Sequence, residues 1–170
     1  MVLSDDIKGS TLMRNAVLAT IRSLSSEQKT AFVTFVTGTP RLPEPRTEIL
    51  KVETPFVPLG ASERRLHIGM LPQAHTCENE LEMPDYNDAL IAHVEEYRAK
   101  NPNVSQADAT VRVLRELADQ YSVELTFSSG NGDEGPREDV DRLTVDFLEK
   151  LLKRNLLLAA ENCVGYQLDV

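Results

Sequence analysis

The sequence contains few of the residues from which metal, disulfide and redox sites are built. Its 170 residues include two cysteines and three histidines, lack tryptophan altogether, and are only 5% aromatic. Two cysteines do not make a disulfide framework, and neither they nor the histidines have the spacing of a metal-ligand motif. We therefore expect no metal and no cofactor, and a core built mainly from aliphatic side chains.

Positive charge is also scarce. The chain has 18 Lys and Arg residues against 27 Asp and Glu residues, a formal net charge of -9. Nucleic acids and anionic membranes are bound through positive fields, so this balance argues against both as partners. We expect neither a membrane span nor a secretion signal, because no apolar run has the required length or pattern. The interpretation is a cytoplasmic or nuclear protein with protein partners.

The first part of the chain predicts two amphipathic helices. Residues 1–9 have no clear pattern and are interpreted as a linker or the remnant of a hinge. Apolar residues at three- and four-residue spacing then predict a helix from about residue 10 to residue 24. Ser25 and Gln28 have the spacing of a capping box for a second helix, and Gly38 is suited to end it.

The later part of the chain is mainly helical as well. One helix is predicted around Leu90 and ends near Asn101, and Ser105 is suited to cap a second. A long final helix is predicted over about 138–161, with 164–170 as a tail.

Between these helical regions, alternating apolar residues predict three short strands, over residues 48–53, 65–70 and 80–83. Residues 121–127 also have an extended pattern. The fold class expected from this order is α+β, with a small β-sheet packed on helices.

One polar segment is the best candidate for a functional site. Cys77 lies between two predicted strands and is surrounded by polar residues, which favours a surface turn over the buried position that cysteine usually takes. His75 lies two residues earlier and would face the same side of an extended backbone, where it could polarise the thiol. Glu78 and Glu80 oppose the build-up of negative charge on the sulfur.

Two segments carry a resemblance to a known family. The first is Leu71-Pro72-x-Ala74-His75-Thr76-Cys77-x-Asn79-x-Leu81-x-Met83-Pro84-x-Tyr86, which resembles the cysteine-bearing segment of HECT-type ubiquitin ligases. The second, Phe35-Val36-Thr37-Gly38-Thr39-Pro40-Arg41-Leu42-Pro43, is similar to the segment after the second helix of that family's C-terminal lobe. The resemblance covers about 10–86 and then 147–166.

This resemblance implies both a fold and an activity. Residues 10–170 would form the C-terminal catalytic lobe, with an inserted helical segment at about 87–140 before the last helix. Cys77 would accept ubiquitin as a thioester from a ubiquitin-conjugating enzyme and pass it to a lysine of a protein substrate. The conjugating enzyme would bind an N-terminal lobe that this sequence lacks, so the isolated lobe is expected to be weakly active.

The resemblance also implies supporting residues around the thiol. His75, Thr76 and Asn79 would shape the turn that presents Cys77, and Tyr166 would be the tail residue that contacts the site.

A second function remains open, because Glu78 stands where the family usually has an aromatic residue. The same lobe could be a non-catalytic module that binds ubiquitin or another partner. A cysteine hydrolase is disfavoured, since His75 is too close in sequence to dock onto Cys77 as a base held by a third group.

Overall fold

Helices and one small sheet make up the parts of the chain that the computed structural model describes, which are residues 2–3, 11–39, 51–53, 61–125 and 136–168. The helices are α1 (Thr11–Ser23), α2 (Ser26–Thr37), α3 (Ala61–Leu66), α4 (Tyr86–Lys100), α5 (Gln106–Gln120) and α6 (Pro136–Leu168). The strands are β1 (Val2–Leu3), β2 (Lys51–Glu53), β3 (Gln73–His75) and β4 (Glu80–Glu82). Two 3-10 turns lie at His67–Gly69 and Thr76–Glu78. The α+β fold class is confirmed.

The sheet is mixed and has the strand order β1-β2-β4-β3. Strand β2 pairs in parallel with both β1 and β4, whereas β3 and β4 form an antiparallel hairpin. The first strand is formed by Val2–Leu3, within the segment that we interpreted as a linker or hinge. Such a short strand is stabilised by its neighbour more than by its own sequence pattern, so the pattern did not indicate it.

One face of the sheet is buried and the other is open. Val52 and Leu81 are fully buried, and Ala74 packs against the same core. Residues on either side of these point the other way, because side chains alternate along a strand. The outer face of the sheet therefore carries the polar residues Lys51, Glu53, Gln73, His75, Glu80 and Glu82.

The long helix α6 is the centre of the helical layer. It packs against α1, α2 and α5, and Phe147, Leu148, Leu151, Leu152 and Leu156 are among its fully buried residues. The core cluster joins this helix to α1, through Met13 and Val17, and to the inner face of the sheet. The core is mainly aliphatic, as the sequence predicts.

The helix ends follow the local sequence closely. The Ser25 side chain accepts a hydrogen bond from the Gln28 backbone, and the Gln28 side chain accepts one from the Ser25 backbone, which confirms the capping box. Gly38 ends α2 at φ +79°, a left-handed conformation that favours glycine. Ser105 caps α5 through the backbone of Asp108.

The strand predicted over 65–70 is wrong. The structure has the end of α3 and a 3-10 turn there, with Ile68 buried but Leu66 71% and Met70 41% exposed. Alternation of apolar residues could not reveal that two of the three would lie outside the core. Strand β3 forms instead at Gln73–His75, which we expected to be part of the loop before Cys77.

Two further expectations also differ from the structure. Residues 121–125, predicted to be extended, form a turn after α5 and then no strand, with Ser122 at φ 55°. Helix α6 continues to Leu168, so the backbone of 164–168 is helical where a tail was expected. Residues 40–43 of the second resembling segment, 48–50 of the first predicted strand and 126–127 lie outside the described residues.

Helix α4 holds the segment that leads to β3. The Tyr86 hydroxyl donates a hydrogen bond of 2.6 Å to the Met70 carbonyl. The Arg64 guanidinium makes a two-pronged contact with the Asp88 carboxylate, at 2.7 and 3.0 Å. These contacts attach α3 and the following turn to the first turns of α4. The helical segment predicted after the sheet therefore helps to fix the chain that leads into the hairpin.

Candidate functional site

Cys77 lies at the end of the β3–β4 hairpin. It is the middle residue of the 3-10 turn Thr76–Glu78, and its thiol is free and exposed. Polar neighbours predicted a surface turn, and the structure places the cysteine in one. The backbone on both sides is held by strand pairing, with Ala74 opposite Leu81 and His75 opposite Glu80. An exposed thiol on a short, anchored turn can be approached by a large partner without being freely mobile.

Asn79 closes this turn through its backbone. It has a left-handed conformation with φ 51° and ψ 42°, and its N–H donates to the Thr76 carbonyl at 3.4 Å. Asparagine is one of the few residues that adopt this conformation readily. The Asn79 carbonyl also accepts a hydrogen bond of 2.9 Å from the Lys51 backbone. Asn79 thus joins the cysteine turn to β2, and its supporting role in catalysis stays a prediction.

Thr76 lies against the end of α2. A Cβ added at Gly38 would be 3.6 Å from Thr76 Cβ, so the two residues are close neighbours and a larger side chain at position 38 would touch Thr76. Helix α2 also packs against β3 and against the cysteine turn as a whole. The two segments that carried the family resemblance therefore meet in space at Gly38 and Thr76.

His75 contacts a residue that the sequence analysis did not single out. Its Nε2 lies 3.1 Å from Glu82 Oε1, and both side chains are partly exposed on the outer face of the sheet. Glu82 is opposite Gln73, two residues farther from the turn than His75. The contact is thus diagonal across the hairpin, where long side chains can meet. The only signal in the sequence was the even spacing of Glu80 and Glu82, which puts both on one strand face.

The relation between His75 and Cys77 differs from the simple expectation. We placed the two side chains on one side by assuming an extended backbone, but the chain enters the 3-10 turn directly after His75. The ring atom Nε2 is directed along the hairpin toward Glu82, away from the turn. A direct interaction between the imidazole and the thiol remains a prediction.

The outer face of the sheet beside the thiol is strongly acidic. Burial raises the pKa of Glu80 above its ordinary value, and the nearby carboxylates of Glu53 and Glu78 add to this effect by like charge. Glu82 lies on the same strand. A cationic group that approaches Cys77 from this side enters a field of several carboxylates.

Among the described residues, one group has donor types and distances that a metal ion could use. His75, Glu80 and Glu82 each offer one atom, and these atoms lie within 4.8 Å of one another. Strand pairing and the His75–Glu82 contact account for this proximity. We assign no ion to these residues.

Tyr166, predicted as the tail contact, lies in the last turns of α6. Its side chain is outside the described residues, and its contact with the site stays a prediction.

The comparisons with known proteins give a family match for part of the chain. No helix in the described parts of the chain has the length and apolar character needed to cross a membrane. A search of curated proteins finds no match. A family model described as HECT-domain (ubiquitin-transferase) matches residues 6–95, just over half of the 170-residue chain. The matched span contains the whole β3–β4 hairpin with Cys77 at its end, and on this match the chain belongs to the HECT-domain family of ubiquitin transferases.

Proposed function

We propose that this chain transfers ubiquitin through a thioester on Cys77. The observation that carries the proposal is the position of Cys77, a free and exposed thiol on an anchored hairpin turn in a member of a ubiquitin-transferase family. Its partners would be ubiquitin, a ubiquitin-conjugating enzyme and a protein substrate. A reducing compartment, the cytoplasm or the nucleus, would keep the thiol available.

Thioester exchange does not require a strongly activated thiol. The Cys77 sulfur attacks the carbonyl carbon of a thioester between ubiquitin and the conjugating enzyme. A new C–S bond forms, the old one breaks, and the enzyme's cysteine leaves as thiolate. Exchange of one thioester for another has a small free-energy change, so the rate depends mainly on access and orientation. A turn fixed at both ends and open to solvent supports this requirement.

The second step transfers ubiquitin to the substrate. A lysine amine attacks the thioester carbonyl carbon, a C–N bond forms, and the C–S bond to Cys77 breaks. The lysine must first lose a proton, because an ammonium group has no lone pair with which to attack. In this proposal Thr76 and Asn79 maintain the shape of the turn during both steps, and Tyr166 contacts the site from the end of α6.

The proposal is tested by forming the thioester directly. A chemically prepared ubiquitin thioester with a small thiol leaving group, used in parallel with activating and conjugating enzymes, avoids any need for a separate recruiting surface. We expect an adduct with ubiquitin that a reductant removes. Cys77→Ala should abolish it, and Cys77→Ser should give at most an adduct that resists the reductant.

Cys163→Ala is the matched control, because it removes the other of the two cysteines in the chain. This variant should form the adduct at the rate of the unchanged protein. An adduct that persists in Cys77→Ala but disappears in Cys163→Ala would refute the assignment of Cys77.

The acidic surroundings of the thiol favour one alternative function. Glu78 is exposed beside Cys77 and contributes to the crowding of charge around Glu80. A non-catalytic module that binds ubiquitin or a partner would need no reactive thiol. The negative charge of Glu78 would therefore not interfere with its function. Calorimetric binding of ubiquitin that is unchanged in Cys77→Ala, together with the absence of an adduct, would support the alternative.

A further inference from the structure

We propose that two contacts from the C-terminal helices anchor the residues just before the cysteine hairpin, and that loading of Cys77 with ubiquitin depends on this anchoring. The residues that make the contacts, Tyr121, Arg154 and Asn155, lie beyond the span of residues 6–95 that the family model matches. The inference rests on the proposed function, since it concerns the first of the two steps. It makes Tyr121 a positioning residue for the thiol.

The first contact is made by Tyr121, the residue at the end of α5. A Cβ added at Gly69 would lie 2.7 Å from the Tyr121 hydroxyl oxygen and 3.5 Å from the ring carbon Cζ that carries this oxygen. A distance of 2.7 Å is too short for a real Cβ, so any side chain at position 69 would displace the hydroxyl. The hydroxyl thus lies directly against Gly69, the last residue of the 3-10 turn His67–Gly69.

Arg154 of α6 limits the movement of the Tyr121 ring. The Arg154 guanidinium carbon lies 5.6 Å from the centroid of that ring, a distance at which a cation is attracted to an aromatic face. Tyr121 is also one of the partly buried residues that pack against the core. The ring therefore loses contacts if its hydroxyl moves away from Gly69.

The second contact reaches the next residue, Met70. The Asn155 side chain is buried in α6, accepts a hydrogen bond of 2.9 Å from Arg154 and interacts with the Tyr86 hydroxyl. That hydroxyl donates to the Met70 carbonyl at 2.6 Å. The Asn155 amide nitrogen has no hydrogen bond of ordinary geometry within the described residues, so the interaction with Tyr86 is the looser part of this contact.

The link from these contacts to the thiol is short. Gly69 and Met70 are consecutive, and only Leu71 and Pro72 separate them from β3. Leu71 packs against the core, and Pro72 is buried and has a fixed φ. A shift of the 3-10 turn is therefore passed along β3 to Cys77. Placement of this kind matters for group transfer, because a displacement of about 1 Å can slow a reaction about a hundredfold.

Gly69→Ala tests the first contact, because the added methyl group would push the Tyr121 hydroxyl away. All proteins carry Cys163→Ala, and loading with the chemically prepared ubiquitin thioester is measured well below their thermal transitions. We expect Gly69→Ala to slow loading about tenfold. Alkylation of Cys77 by iodoacetamide, a small reagent that requires no defined orientation, should change by less than about twofold.

Gly69→Ala combined with Tyr121→Phe is the decisive variant. The nearest ring atom is then 3.5 Å from the added methyl carbon, an ordinary van der Waals distance. Tyr121→Phe alone keeps the ring, and the single and double variants should both load within about twofold of the unchanged protein. A double variant as slow as Gly69→Ala, or a Gly69→Ala protein that loads at the unchanged rate, would overturn the inference.

A second pair of variants separates positioning from stability. Tyr121→Ala removes the ring that contacts Arg154 and Gly69, and it should slow loading about fivefold. Thr144→Val is the matched control, because it removes a buried hydroxyl whose hydrogen bond to the Val140 carbonyl stays within α6. This control should lower the free energy of unfolding but load within about twofold of the unchanged protein. Equal slowing in Tyr121→Ala and Thr144→Val would refute a positioning role.

Asn155→Leu tests the second contact in the same loading assay. The substitution keeps the size of the side chain and removes its polar atoms. We expect loading to slow about threefold, less than in Gly69→Ala, because the interaction of Asn155 with Tyr86 is loose. Loading at the unchanged rate would refute the part of the inference that concerns Met70.

A readout that needs no ubiquitin keeps the inference separable from the proposed function. Backbone amide chemical shifts of the unloaded protein report displacement of the hairpin. We expect Gly69→Ala to move the amide signals of residues 73–82, the added Tyr121→Phe to restore them, and Thr144→Val to leave them in place. If the unchanged protein never forms a thioester, the proposed function fails; if the hairpin signals do not move in Gly69→Ala, the anchoring role fails by itself.

Discussion

Tyr86→Phe removes a single hydroxyl from the junction between α4 and the chain that leads to the cysteine turn. Tyr86 is fully buried, and its hydroxyl donates to the Met70 carbonyl at 2.6 Å. Burial raises the pKa of the phenol, so the neutral hydroxyl is the form present in the folded protein. The substitution keeps the ring and its packing and removes the hydroxyl, which donates to the Met70 carbonyl and also interacts with the buried Asn155 side chain.

The expected magnitude follows from the environment of that bond. A carbonyl left without its partner in a partly buried position costs about 1–2 kcal/mol in the free energy of unfolding. For a domain of this size, each 1 kcal/mol lowers the melting temperature by about 2–4 °C. We therefore expect a loss of about 1.5 kcal/mol and a fall of about 3–6 °C.

Urea denaturation followed by circular dichroism measures this loss, and an unchanged m value would show that only the folded state is affected. Tyr97→Phe is the matched control, because Tyr97 lies on the same helix but only packs against the edge of the core. A loss in Tyr86→Phe below about 0.5 kcal/mol, or equal to that of the control, would refute the argument that this hydroxyl anchors the segment.

Three further substitutions test the site and its surroundings. Asn79→Gly should change the free energy of unfolding by less than about 0.5 kcal/mol, whereas Asn79→Val should cost at least about 1 kcal/mol because a β-branched residue resists φ 51°; equal losses would contradict the conformational argument. Glu80→Gln should stabilise the protein by about 0.5 kcal/mol at pH 7, since it relieves like charge beside Glu53 and Glu78. That gain should shrink as the pH falls through the raised pKa of Glu80, where the native carboxyl becomes neutral as well; a gain that is constant with pH would be inconsistent with it. His93 Nε2 donates a hydrogen bond to the Arg65 carbonyl, and burial lowers the pKa of His93 below 6.5. The contribution of His93 to stability is therefore present above that pH and is lost as the pH falls through the lowered pKa. His93→Gln should accordingly flatten the fall in unfolding free energy below about pH 6.5 in urea titrations, and an unchanged slope would count against this origin.

Local sequence determined the features of this protein that depend on neighbouring residues alone. The capping box at Ser25 and Gln28, the helix end at Gly38 and the cap at Ser105 each satisfy backbone groups within a few residues, and all were correctly predicted. The amphipathic spacing of the long helices was equally clear, because a face that repeats over several turns leaves little ambiguity. The polar residues around Cys77 correctly predicted an exposed turn, because this prediction also depends only on neighbouring residues.

Tertiary structure decided the features in which distant segments compete or meet. Residues 65–70 alternate like a strand, but Arg64 and Arg65 pair with Asp88 and Glu96 of α4, and the chain is helical at that point. Strand β3 forms at Gln73–His75 because β4 offers it a partner with Ala74 opposite the buried Leu81.

The same distinction applies to the site. The sequence alone singled out Cys77 and its neighbours as the candidate site, since a short motif places them together. It could not identify the contact between His75 and Glu82, because that contact depends on the register of the hairpin, and a shift of one residue would move every side chain to the opposite face. Nor could it bring Thr76 against Gly38, which only the packing of α2 on the hairpin achieves.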